Sequence, residues 1–206
     1  MEVILKYFPE LNESQQRQMA ALETLYPEWN AKINVISRKD IDNLEVNHIL
    51  HSLGLVKFIR FMPGTRVMDL GTGGGFPGIP LAIYYPDVTF HLVDRIGKKL
   101  RVAQDIAEQI GLTNVSFQHG DVKEVKGKYD FVVSRAVMDL GDMVPLVRRL
   151  IDSKDRNAMP NGLLCLKGGD LGGEIAPYRS KVLIDKLSNY FKEEFFKTKK
   201  VLYLPL

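Results

Sequence analysis

The stretch Val67-Met68-Asp69-Leu70-Gly71-Thr72-Gly73-Gly74-Gly75-Phe76-Pro77-Gly78-Ile79-Pro80-Leu81-Ala82-Ile83 decides how this chain folds. Its start reads as a buried strand, its middle as a glycine turn and its end as an apolar helix. Glycines let a backbone take positive φ and approach a ligand closely, and a helix start offers unpaired amides to an anion. Pro77 and Pro80 suit an early helical turn, where a missing amide hydrogen costs little. Turns of this kind also serve dinucleotides, but the third glycine or alanine of that pattern is Phe76 here, which argues against a nicotinamide ligand. Asp94 ends the next apolar run, near the ~20-residue distance at which an acid meets ribose hydroxyls.

Around that unit, short apolar runs alternate with helical stretches in the pattern of repeated βα units about a parallel sheet. This reading predicts strands at Arg66–Leu70, Thr89–Asp94, Val115–Gln118, Tyr129–Ser134 and Gly162–Lys167, with one or two more between Glu194 and Leu204. The expected fold is α/β, with a mostly parallel sheet of six or seven strands covered on both faces. Leu100, Ala103, Ile106, Ala107 and Ile110 form a helical stripe that Gly111 ends. Before Gly64 the texture is helical. Asn12 with Gln15 makes a capping-box start, Met19, Leu22 and Leu25 recur at helical spacing, and Pro27 punctuates that helix. A second helix is expected after Ser37, with Asp40 three residues on and Ile41, Leu44, His48, His51 and Leu55 along one stripe. The chain therefore divides into an N-terminal helical extension, residues 1–61, and an α/β domain, residues 62–206.

A chain of 206 residues is long enough for one domain with an appendage, and for a substantial core. Cys165 is the only cysteine and lies in an apolar run, which leaves neither a disulfide framework nor a cysteine-rich zinc site. The start, Met1-Glu2-Val3-Ile4-Leu5-Lys6, has no basic region ahead of a long apolar stretch, and no later window nears the ~20 apolar residues of a membrane span. A reducing, cytoplasmic setting without a membrane partner is expected. The net charge of +3 permits a polyanionic partner without requiring one. Arg148 and Arg149 cluster, as do Lys192, Lys197, Lys199 and Lys200; a phosphate-contacting surface and ordinary solvated charge both explain them.

The run Asp69-x-Gly71-x-Gly73-x-Gly75, acid included, resembles the first motif of Rossmann-like class I methyltransferases. More narrowly, Asp69 to Leu81 with its Phe76-Pro77-Gly78-Ile79-Pro80 continuation resembles the RsmG family, also called the glucose-inhibited division protein B family. Trp29-Asn30 with Ile33-Asn34-Val35, His48 and Ser52, Asp94 before Gly97-Lys98-Lys99, Ser134-Arg135-Ala136 and Leu166-Lys167-Gly168 extend the likeness over most of the chain. The resemblance implies a Rossmann-like fold, S-adenosyl-L-methionine as cofactor, and methylation of N7 of one guanine in 16S ribosomal RNA to 7-methylguanosine. It implies a cofactor site of Asp69, Gly71, Gly73, Gly75, Phe76 and Asp94, completed by Asp121, Val122, Lys123 and Arg135. Asp121 lies where such folds bind adenine, with Val122 offering an apolar face and Lys123 a backbone amide, although a loop acid after Gly120 equally serves as a helix cap. The implied partner is 16S ribosomal RNA or the small-subunit particle, met by a monomer.

Guanine N7 already presents its lone pair in the ring plane, so this methyl transfer needs no general base. Where many amine methyltransferases carry an Asn/Asp-Pro-Pro-aromatic motif, this chain has Ser134-Arg135-Ala136. Arginine cannot act as a base in proteins. Arg135 is the candidate catalytic residue as a positioning group for a phosphate or guanine O6, because a bidentate grip on O6 and N7 blocks the attacking lone pair. A structural ion pair is its competing reading. Arg38, Lys39 and Lys167 are candidate RNA contacts, Lys167 standing ahead of the loop Gly168-Gly169-Asp170-Leu171-Gly172-Gly173 at the ligand edge of the sheet. His48 and His51 lack the further ligands that a metal needs, so no metal is expected and a packed role is favoured. Trp29 reads as core sooner than as a base-stacking platform. Two other functions stay open: a methyltransferase of the same fold acting on a small molecule or protein, and a non-catalytic RNA-binding module. The Phe-Pro-Gly-Ile-Pro turn with Ser-Arg-Ala argues against the first, and the intact glycine and acid set against the second.

Overall fold

The computed structural model describes residues 1–37, 40–135 and 137–206. Its N-terminal third is helical: α1 (Glu2–Tyr7), α2 (Glu13–Asn30) and α3 (His51–Phe58). The expected capping box opens α2, where the Gln15 amide donates to Asn12 Oδ1 and the Asn12 amide to Gln15 Oε1, each at 3.0 Å. Pro27 does not end this helix. The ring removes one amide bond to the preceding turn, yet α2 continues to Asn30 because both sides of Pro27 are anchored. Tyr26 is buried with its hydroxyl on the Gly74 carbonyl at 2.6 Å, and Trp29 Nε1 donates to Asp105 Oδ2 at 2.7 Å. The second expected helix is broken into three: a 3₁₀ turn at Ile41–Asn43, a π-helical stretch at Glu45–Leu50, and α3. Ahead of it, Ser37 Oγ donates to Asp40 Oδ2 at 2.6 Å and the Asp40 amide returns to Ser37 Oγ at 3.2 Å.

Strands and helices then alternate: β1 (Arg66–Leu70), α4 (Gly78–Tyr84), β2 (Thr89–Asp94), α5 (Gly97–Gln109), β3 (Val115–His119) and β4 (Phe131–Arg135). After them come α6 (Leu140–Val147), β5 (Gly162–Gly168), α7 (Gly172–Ile175), β6 (Leu183–Lys186) and β7 (Lys199–Pro205). These seven strands form one sheet in the order β3-β2-β1-β4-β5-β7-β6. Pairing is parallel from β3 through to β5, and β7 runs antiparallel to both β5 and β6. Only β7 falls in the window where one or two further strands were expected. β6 lies earlier, and its residues Leu183-Ile184-Asp185-Lys186 are mostly exposed at the sheet edge, so no alternating burial marks them. Tyr129 makes only an isolated bridge to Ile151, so β4 starts later than expected and ends on Arg135.

Alternation along each strand sends side chains into two cores. Val67, Phe90, Leu92, Phe131, Val133 and Leu164 pack with α4 and α5 and with Ile4, Phe8, Met19, Leu22, Tyr26 and Leu53 of the N-terminal helices. Met68, Leu70, Val93, Val132 and Leu163 pack with Met143 and Val147 of α6 on the other face. Residues before Phe61 thus share one continuous core with the sheet. Strand order reverses between β1 and β4, which opens a crevice beyond their carboxyl ends.

Candidate functional site

The turn after β1 brings the backbone to the crevice. Gly71 and Gly75 hold φ of +67° and +103°, and a Cβ on either would lie 2.6 Å from Val137 Cγ2 or 2.5 Å from Ile79 Cδ1. Both positions are closed to larger residues by conformation and by space. Gly73, at φ +56°, meets nothing within 4 Å and faces open room. Asp69 sits at the root of the turn with no exposed surface. Its Oδ2 accepts from Thr72 Oγ1 at 2.6 Å and from the Gly78 amide at 2.8 Å, while Oδ1 is buried without a partner among the described residues. Burial pushes the carboxyl up to about 7, against the two hydrogen bonds and the nearby Arg135 charge, which pull it down.

Asp94, the last residue of β2, accepts from the Gly73 amide and the Ile96 amide, each at 2.7 Å. It therefore ties the tip of the glycine turn to the second strand. A cavity of about 480 Å³ opens beside it, lined by Gly71, Asp94, Ile96, Asp121, Val122 and Val137 among others. Asp121 caps the short helical turn Val122–Glu124, its Oδ1 taking the Lys123 amide at 2.9 Å and its Oδ2 meeting Arg95 Nε at 3.2 Å. These bonds, the Lys123 amide first, hold its carboxyl below the usual range. The amide expected to be available at Lys123 thus donates to Asp121. Arg149 braces the same wall by donating to the carbonyls of Val122, Lys123 and Val125 at 2.7, 2.9 and 3.0 Å. A larger cavity, about 780 Å³, lies at the amino end of the sheet between Glu10, Arg60, Met62 and Asp87. Its tyrosines are paired internally, Tyr84 with Glu10 and Tyr85 with the Ile59 carbonyl.

On the other side of the turn stands Arg135. Asp69 pairs with Val133 across β1 and β4, and Arg135, two residues further, projects from that same face. Its Nη2 donates to His48 Nδ1 at 2.9 Å, its Nη1 reaches the Asn47 carbonyl at 3.4 Å, and the guanidinium lies 5.0 Å from the centroid of the Phe76 ring. Among the described residues no carboxylate lies within 4.0 Å of it, so the geometry holds no structural ion pair. Burial lowers its pKa to about 10, opposed by Asp69, which leaves it charged at neutral pH. His48 is pushed down to about 3 by burial and then by Arg135, and is neutral.

The Lys167 ammonium is buried and bonded to Glu174 Oε1 and the Met138 carbonyl, each at 2.6 Å, so its charge is already paired within the chain. Arg38, Lys39 and Ala136 lie outside the described residues. His51 is buried edge-on to Phe195 and Phe196, with Nε2 unpartnered among the described residues. Trp29 packs against the core and bonds to Asp105. Sequence reasoning missed Tyr26, which supports the glycine turn at Gly74, and Asn47, whose carbonyl meets Arg135. Neither carried a signal: Tyr26 sits in an apolar helical stripe, and the useful atom of Asn47 is its backbone oxygen.

A sheet of this order with one reversed strand, a glycine turn after β1 and an acid ending β2 defines a Rossmann-like, S-adenosylmethionine-dependent methyltransferase. Solved structures share the fold. A SAM-dependent methyltransferase from Aquifex aeolicus aligns with a TM-score of 0.56 at 14% identity, over 82% of this chain and 98% of that one. The precorrin-6y C5,15-methyltransferase from Geobacter metallireducens aligns at 0.55 and 12% identity, over 84% and 92%. The family model for rRNA small subunit methyltransferase G matches residues 15–202. Relatives named ribosomal RNA small subunit methyltransferase G include that of Bacteroides thetaiotaomicron, 62% identical over 98% of both chains. That of Phocaeicola vulgatus is 60% identical over 100% of this chain and 99% of its own, and that of Flavobacterium johnsoniae 50% identical over 100% and 98%. The chain belongs to the rRNA small subunit methyltransferase G family.

Proposed function

We propose that this protein transfers the methyl group of S-adenosylmethionine to N7 of a guanine in 16S ribosomal RNA. The observation that carries the reading is the pairing, on adjacent strands β1 and β4, of a buried Asp69 oxygen that has no partner with an Arg135 guanidinium that makes no ion pair among the described residues. The residues fit the cofactor. Asp69 Oδ1 is a buried acceptor awaiting a donor, which suits an ammonium, and Asp94 and Asp121 border a cavity with the apolar Val122 and Val137. Bound there, S-adenosylmethionine would supply a methyl group activated by its sulfonium. Gly71, Gly73, Gly75 and Phe76 shape the turn that would hold it, with Asp94 fixing the turn and Asp121 and Val122 bordering adenine.

Arg135 has no base chemistry to offer. Its task is to hold an acceptor oxygen of the target nucleotide so that N7 stands in line with the methyl carbon, a proximity effect worth on the order of several kcal/mol. Gripping O6 or a phosphate leaves N7 free. The helical extension 1–61 supplies the far wall through His48 and Asn47, and with it a surface for RNA. In this reading the protein works in the cytoplasm as a monomer on 16S RNA or the small-subunit particle; no described helix is long and apolar enough to cross a membrane. Transfer of tritium from labelled S-adenosylmethionine tests the reading: label enters 16S RNA or small-subunit particles. Label entering only protein or small-molecule acceptors would overturn it.

A further inference from the structure

Arg135 is a cation with no carboxylate within 4.0 Å among the described residues; Asp69 and Asp40 act on it only through space. A guanidinium has five N–H donors. Two are used, one on His48 Nδ1 at 2.9 Å and one on the Asn47 carbonyl at 3.4 Å, and among the described residues the others have no acceptor. Both acceptors come from the π-helical stretch Glu45–Leu50, an uncommon conformation that recurs at functional sites. His48 is itself set against the Phe76 ring, centroids 5.2 Å apart, and Phe76 also lies under the guanidinium. Asn47 is steadied from outside, its Nδ2 donating to Asp40 Oδ1 at 3.2 Å.

The choice of acceptors has a consequence for chemistry. A carboxylate in the place of His48 would hold Arg135 more tightly but cancel the charge that an RNA oxygen must feel. A neutral imidazole nitrogen and a carbonyl fix the orientation and leave the charge intact. We propose that His48 is a positioning residue for methyl transfer, its Nδ1 acting with the Asn47 carbonyl to clamp one edge of Arg135 so that the other edge presents its unused N–H donors to the target nucleotide. The inference rests on the rRNA methyltransferase reading above. It requires the Nε2-protonated, neutral tautomer of His48, because Nδ1 must accept.

The test compares His48→Ala, His48→Asn and His48→Gln for kcat on small-subunit particles, with S-adenosylhomocysteine affinity measured beside it. His48→Ala should lower kcat by about ten- to a hundredfold, the scale of a small misplacement at a reacting centre, with cofactor-product affinity unchanged. His48→Asn, whose amide oxygen stands near the position of Nδ1, should recover most of the rate, and His48→Gln, whose oxygen stands further out, little of it. In an Arg135→Ala background His48→Ala should cost nothing further, since the two act as one unit. Full rate in His48→Ala, Asn and Gln variants of equal rate, or independent losses in the double variant would each overturn the proposal. Nitrogen-15 spectra of the wild-type His48 ring decide it even where a variant fails to fold: Nδ1 unprotonated supports the clamp, and Nδ1 protonated refutes it. A wild-type protein that methylates no ribosomal RNA would refute the functional reading instead, and the ring spectrum would still decide the clamp.

Discussion

The two carboxylates at the glycine turn are held in opposite ways, and each way has a measurable consequence. Asp94 spends both oxygens on backbone amides, those of Gly73 and Ile96. Asp94→Ala should therefore weaken S-adenosylhomocysteine binding by about 1–3 kcal/mol, through lost contacts and a loosened turn; calorimetry checks this, and unchanged affinity would remove Asp94 from the site. Asp69 keeps one oxygen unpartnered and its carboxyl pushed up to about 7. Below that pH the unliganded site binds a proton, while an ammonium beside Oδ1 favours the ionised form. Cofactor binding then releases a proton, and affinity should rise with pH up to about 7, by as much as about tenfold per unit, and level off above it. Calorimetry in buffers of different ionisation enthalpy would show the released proton below pH 7; no buffer dependence would contradict it. Both acids were legible in the sequence because their positions follow from the strand and the glycine spacing. The partners of Arg135 were not. His48 stands 87 residues away on a helix that reads as core, and the pairing of Lys167 with Glu174 was equally hidden, because Glu174 lies across an irregular loop.

Helix α2 reaches the glycine turn through Tyr26. Tyr26 donates to the Gly74 carbonyl at 2.6 Å, while its ring packs on Phe76 with centroids 4.6 Å apart. Tyr26→Phe keeps the packing and removes the bond, so it should cost about 1 kcal/mol of stability and weaken S-adenosylhomocysteine binding as the turn relaxes. Asn12→Ala, at the other end of the same helix, should cost about 1 kcal/mol as a lost cap and leave binding untouched. Thermal melts paired with calorimetry separate the two; equal effects on binding would break the link between α2 and the turn. The capping box at Asn12 and Gln15 was readable because it is local and reciprocal. The passage of α2 through Pro27 was not, since it depends on anchors at Gly74 and Asp105 that lie far along the chain. β6 escaped notice for a related reason: an exposed edge strand has no buried face to impose a pattern.

Over the whole molecule the sheet order places the carboxyl ends of β1, β2 and β4 along one crevice, and the N-terminal helices close one side of it through a shared core. The alternation of apolar runs and helical stripes made the sheet legible, with the glycine turn marking where its crevice opens. How the helices dock on that sheet was beyond the sequence, because tertiary packing of apolar stripes leaves no local mark of its partner. The docking matters, since it carries His48 and Asn47 to Arg135 at the carboxyl end of β4. The most direct measurement is to incubate the protein with S-adenosylmethionine and small-subunit particles or 16S RNA, reduce the product mildly, and cleave with aniline. N7 methylation makes the guanine ring cationic and weakens its glycosidic bond, so the account predicts one new methyl-dependent cut at a guanine, absent with Arg135→Ala. Methyl transfer to the RNA without any cleavable guanine, or a cut unaffected by Arg135→Ala, would contradict it.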